Sequence, residues 1–189
     1  SKSTYDTDRY QALQTMSMQM MAAAGGLPDE ALEPLRASLF SRHSPVCAGG
    51  GAVIDDDGRI LLMQRSDNGT WAMPGGGLEV GETPAEGAVR EVFEETGVVS
   101  KPTALVGIFD SRLCGTASLQ HLYHVLFLCT PVAGQTSPRA SKHANEVLDA
   151  AWFAESDLPN ELCPGHDVRI PVAYSVWHGR TRAFFDGDA

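Results

Sequence analysis

The chain has 189 residues, 43% hydrophobic and 20% charged, which is enough for one domain with a proper core plus an appendage and is not the composition of a disordered chain. Lys and Arg number 14 against 24 Asp and Glu; the net charge of −10 offers no overall attraction for nucleic acid phosphates and sets polymeric DNA and RNA aside as substrates. No stretch approaches the ~18 consecutive apolar residues of a membrane span, the start lacks a basic-then-apolar signal pattern, and Cys47, Cys114, Cys129 and Cys163 show neither C-x-x-C spacing nor a dense framework, so reduced thiols, no membrane partner and a cytoplasmic location are expected.

Over residues 6–24, Tyr10, Leu13, Met16, Met20 and Met21 fall on a helical stripe that Gly25 and Gly26 end. A second helix is expected over residues 28–40 with Pro28 in its first turn, followed by a linker at 42–45. Residues 1–43 are therefore read as a small helical extension and 44–189 as the main domain. The methionines serve either core packing or the lining of a pocket or a homodimer contact.

Residues 46–54 and 59–64 read as strands joined by a turn at Asp56-Asp57-Gly58, where Asp-Gly suits a tight hairpin. The three aspartates lack the alternating spacing of a calcium loop. Gly49-Gly50-Gly51 lies inside a strand pattern with no Lys-Ser/Thr after it, so it marks close backbone approach to a ligand or neighbour, not a phosphate-cradling loop. Pro84 opens the next helix and Gly97 closes it. Strands follow over 103–109, 119–129 and 147–153, with a closing helix over 172–178. The long polar loops 110–117 and 131–145 are where specificity is expected. His121 and His124, three apart in a strand, point to opposite faces and make no metal pair.

The densest chemical signal is residues 76–98, which fit G-x5-E-x7-R-E-U-x-E-E-x-G-U, U aliphatic, at every fixed position. Seven positions require a particular Gly, Glu or Arg; at about 0.07 per position, over every start in the chain, chance gives roughly one match in a million. On a helix over 84–96, Ala85, Ala88, Val89 and Val92 fall on one side and Glu91, Glu94 and Glu95 on another. The apolar side docks on a sheet. The three carboxylates project toward a common point, which like charges resist unless a cation is there, and hard oxygen donors suit Mg²⁺ or Mn²⁺. A solvated acidic face is the alternative for three glutamates on an arbitrary helix. Against it stand Gly76 and Gly81, which permit a tight loop, and Glu82, spaced to pair with Arg90 and tie that loop to the helix. Arg90 also reaches Glu94 at i+4, so its role in the candidate catalytic set is to position the ligands.

This run resembles the box of the Nudix hydrolases, and Trp71-Ala72-Met73-Pro74-Gly75-Gly76 looks like the W-x-x-P-G-G approach to it, with Met73 in a place usually held by Leu. The resemblance implies an α/β fold, an α/β/α sandwich with a mixed sheet, whose box forms a loop-helix-loop presenting metal to a diphosphate. It implies Mg²⁺, with Mn²⁺ able to substitute, held by Glu91, Glu94 and Glu95, and a loop shaped by Gly76, Glu82 and Gly97. It also implies Glu91 and Glu94 as catalytic, with Glu146 similar to the extra carboxylate of some relatives, as base or added ligand, and Asp149 its competitor. Arg65 is a candidate phosphate contact or a surface Arg, and Trp71 and His166, the latter read on a loop, are candidate substrate contacts. Tyr5-Asp-x-x-Arg9-Tyr10-x-x-Leu13 is similar to a helical extension before Nudix domains of the CDP-choline and ADP-ribose pyrophosphatase type. The implied reaction splits a nucleoside diphosphate linked to a moiety X into a nucleoside monophosphate and phosphorylated X. The rivals are a nucleoside triphosphate pyrophosphatase and a nucleotide-sensing module without turnover, and the complete glutamate set argues against the last.

Overall fold

The computed structural model describes residues 4–25, 28, 44–116, 118, 120–134, 136–138 and 146–187. Two units emerge, Ser1–Ser44 and Pro45–Ala189. In the first, α1 runs Thr4–Gly25. Among its described side chains Met18 and Ala22 are buried, whereas Tyr10, Leu13, Met16 and Met20 of the expected stripe are exposed. Methionines and alanines run round this helix, so spacing alone does not select the face that is covered. The helix expected over 28–40 lies outside the described residues apart from Pro28, as does the side chain of Met21.

The second unit contains β1 (Val46–Val53), β2 (Arg59–Arg65), β3 (Trp71–Ala72), β4 (Gly75–Gly77), α2 (Pro84–Thr96), β5 (Ser100–Asp110), β6 (Leu122–Pro131), β7 (Val147–Ala154), α3 (His166–Trp177) and β8 (Phe184–Phe185). One sheet runs β4-β1-β6-β5-β8 and a second β3-β2-β7. The first is mixed: β1 lies parallel to β6 and antiparallel to β4, and β5 antiparallel to β6. The expected β1–β2 hairpin does not form. The turn at Asp56-Asp57-Gly58 is present, but beyond the single bridge Ile54–Ile60 the strands diverge into different sheets. Turn chemistry is local, whereas strand pairing is decided by distant partners, here β6 for β1 and β7 for β2.

Alternation along β1 builds two layers. Ala52 and Ile54 join Ile60, Leu62, Val106, Phe109, Leu126, Ile170, Ala173 and Tyr174 in the main core, under α3. Val53 faces the other way, with Leu61, Val92, Val98 and Cys129, under α2. The glycines of β1 explain how closely α2 sits: a Cβ on Gly51 would lie 2.5 Å from Val92 Cγ2, and one on Gly49 would lie 3.1 Å from Ala88 N. Their approach is to a neighbour helix.

Helix α2 is bounded by local chemistry. Thr83 and Glu86 form a reciprocal capping box, Pro84 opens the first turn, and Gly97 at φ 70° donates its N–H to Phe93 O. Helix α3 begins at His166, not at the expected 172, because Gly165 at φ 86° enters it with no side-chain cap and Pro171 sits inside it. A Cβ on Gly165 would lie 2.7 Å from Cys114 O, so the loop after β5 packs against this helix start. Farther along α3, Tyr174 donates its hydroxyl to Gly58 O at 3.1 Å.

Candidate active site

The glutamate helix is tied to its loop by one guanidinium. Arg90 donates Nε and Nη2 to Glu82 at 3.1 and 2.8 Å, Nη2 also to Gly77 O at 3.0 Å, and Nη1 to Glu91 and Glu94 at 2.8 and 3.0 Å. Glu82 further accepts from Glu79 N, and the Arg90 bonds hold its carboxyl down at about 2. Gly76 is needed here because a Cβ on it would lie 2.7 Å from the Glu91 carboxylate.

Glu95 departs from the expected face. It is buried beside Ala88 and Val92, and its carboxylate accepts from Gly75 N at 2.8 Å. Burial, with Glu91 and Glu146 nearby, pushes its pKa up to about 8. Burial raises Glu91 as well. The expected convergence of Glu91, Glu94 and Glu95 on one point is not present: among the described residues no three such side chains meet at ligand distance. Their repulsion is relieved in two directions, by Arg90 Nη1 between Glu91 and Glu94 and by the Gly75 N–H on Glu95. The donor chemistry fits a hard divalent cation. Glu95 is a buried carboxyl whose neighbours Glu91 and Glu146 oppose its ionisation, a conflict that a cation would resolve.

A cavity of about 490 Å³ opens beside this corner. Gly75 and Gly76 form its wall at the glutamate end; Arg65, His124, His166 and Arg169 also line it. Arg65 is held by Asp67 at 2.7 Å while facing the cavity. His166 is not on a loop but is the first residue of α3, buried, and driven down to about 3 chiefly by burial and then by Arg169. His124 is likewise pushed down to about 4 and lies 3.3 Å from Thr116 Oγ1, while His121 turns to Asp110. Trp71 packs edge-on against Phe153 and does not line this cavity. Glu146 stands exposed before β7, its carbonyl accepting from Ser66 N, and Asp149 is exposed within β7.

Sequence reasoning missed Arg169 and Thr116. The i, i+3 spacing of Arg169 from His166 was the one signal that could have found the arginine, had the helix start been placed at Gly165.

A capped loop-helix-loop that sets carboxylates against the glycines walling a cavity of about 490 Å³ is the arrangement of a diphosphate-cleaving hydrolase. Residues 45–172 match the NUDIX domain, and the chain belongs to that family of hydrolases. It is similar to a MutT-like protein of Streptomyces ambofaciens, 32% identical over 73% of this chain and 81% of that one. It is also similar to an ADP-ribose pyrophosphatase of Methanocaldococcus jannaschii, 32% identical over 71% of this chain and 75% of that one. The crystal structure of a UDP-X diphosphatase superposes with a TM-score of 0.66 at 26% identity, covering 98% of this chain and 89% of the other. No helix among the described residues is long and apolar enough to cross a membrane.

Proposed function

We propose that the chain hydrolyses the diphosphate of a nucleoside diphosphate linked to a second moiety, such as ADP-ribose or CDP-choline, giving a nucleoside monophosphate and phosphorylated X. The observation that carries this reading is the cavity of about 490 Å³ lined by Gly75 and Gly76 at the glutamate corner and by His166 and Arg169 at the start of α3, within the ~300–1,000 Å³ of small-molecule sites. The names of the archaeal relative and the UDP-X neighbour support it.

Glu91, Glu94 and Glu95 would hold Mg²⁺, with Mn²⁺ able to substitute and Glu146 as added ligand or base. The ion's chemistry is to polarise the phosphoryl oxygens and lower the pKa of an attacking water. Arg90 fixes the carboxylates by its bonds to Glu82 and Gly77, and Glu146, exposed before β7, would serve as base or added ligand. Arg65 steadies a phosphate at the cavity wall. The four cysteines, all free, favour action in the cytoplasm.

The test is a panel of nucleoside diphosphate-X compounds and nucleoside triphosphates with Mg²⁺ or Mn²⁺, scored by product identity. Monophosphate plus phosphorylated X is the expected outcome. A putative 8-oxo-dGTP diphosphatase of Bacillus subtilis, 29% identical over 62% of this chain, favours triphosphate pyrophosphohydrolysis as the second reading, and pyrophosphate released from a triphosphate with no cleavage of diphosphate-X compounds would establish that reading in place of the first.

A further inference from the structure

Among the residues that line the cavity is a buried cation, Arg169, with no ion-pair partner among the described residues. Arg169 is only 6% exposed, and among the described residues no carboxylate lies within ion-pair distance of it. Its Nε donates to Gly165 O at 3.1 Å, and Nη2 lies 3.2 Å from His166 Nδ1. That same Nδ1 is 3.0 Å from Cys163 O, and a neutral imidazole serves only one of the two from that atom. Nη1 has no protein partner among the described residues, and the side chain lines the cavity. The neighbours offset it only in part: burial lowers the Arg169 pKa in spite of the opposing pull of Asp167, which is exposed, and His166 and His124 carry no negative charge. The start of α3, uncapped by any side chain, adds the positive end of a helix of 12 residues. Thr116 packs against Gly165 at the start of α3, and Ser118 and Gln120 also line the cavity.

Burying an uncompensated guanidinium is costly, and a charge so placed is offset when an anion docks on its free Nη1. We infer that Arg169 and the start of α3 form a subsite for a second anionic group of the substrate, a carboxylate or phosphate distinct from the diphosphate that faces the glutamate helix. This rests on the diphosphate-X reading above and narrows it: the substrate bears a further anion, on X or on the nucleoside.

Two measurements decide it. In metal-free buffer, inorganic phosphate should raise the melting temperature of the wild type and leave Arg169→Met unmoved, while Arg169→Met without phosphate should melt no lower than wild type, since it removes a buried unpaired charge. A wild type indifferent to phosphate, or an Arg169→Met protein that is destabilised yet still protected by phosphate, overturns the subsite. With Mg²⁺, UDP-glucuronate is compared with UDP-glucose for an anion on X, and 2′-phospho-ADP-ribose with ADP-ribose for one on the nucleoside. One charged member should be preferred by about tenfold or more in kcat/KM. Arg169→Gln should abolish that preference through KM, and Arg169→Lys should restore part of it. Equal use of both members in both pairs, or a preference untouched by Arg169→Gln, overturns the inference and leaves the diphosphate-X reading standing. Cleavage of none of the four, with phosphate still protecting the wild type, sinks that reading and the substrate assignment with it.

Discussion

Glu95 joins a buried carboxyl to a backbone N–H, and its folded-state pKa of about 8 lies above the ordinary 4.5. The folded chain therefore binds a proton that the unfolded chain has released between these values. The stabilisation from this group is complete below about 4.5 and is lost as pH rises through about 8. Melting in a chelator should show a component falling from about pH 5 to about pH 9 that Glu95→Gln removes; equal slopes in both proteins would contradict the assignment. Glu94→Gln should cut turnover roughly 100-fold or more. Its fold should stay intact, because the side chain is 30% exposed and Arg90 keeps Glu82 and Glu91 as partners. Circular dichroism and steady-state rates check both halves. The glutamates were legible because their chemistry fixes both residue type and spacing. Arg169 was not, since a buried guanidinium and a surface one look alike in sequence until the fold shows what surrounds them.

The bounds of α2 were readable because Thr83, Pro84, Glu86 and Gly97 each act within a turn of the helix end. Removing the cap by Thr83→Ala should cost about 1 kcal/mol, measured by denaturant midpoint. The start of α3 was hidden for the opposite reason: Gly165 leaves no capping side chain, and Pro171 reads as a helix opening. The glycine run of β1 was legible as close approach, but its partner was not, because only the fold brings Val92 and Ala88 over it. Gly51→Ala places a methyl 2.5 Å from Val92 Cγ2 and should destabilise by about 1–3 kcal/mol, with a loss of activity as α2 shifts from β4. Pairing it with Val92→Ala should recover part of that stability, as a steric cause requires.

At the scale of the molecule, the sequence reading sets residues 1–43 apart as a helical extension. We propose that α1, with Tyr10, Leu13, Met16 and Met20 exposed, meets a second copy of the chain. Deleting residues 1–43 should lower the mass in solution, seen by light scattering, and alter the substrate profile before it alters the chemistry; an unchanged mass and profile would end that role. The hydrogen bond from Tyr174 to Gly58 has a mechanical consequence for the main unit. A helix can roll about its axis, and ~100° of roll moves each side chain to its neighbour's bearing. Tyr174 resists that roll by anchoring α3, five residues beyond Arg169, to the turn at Asp56-Asp57-Gly58.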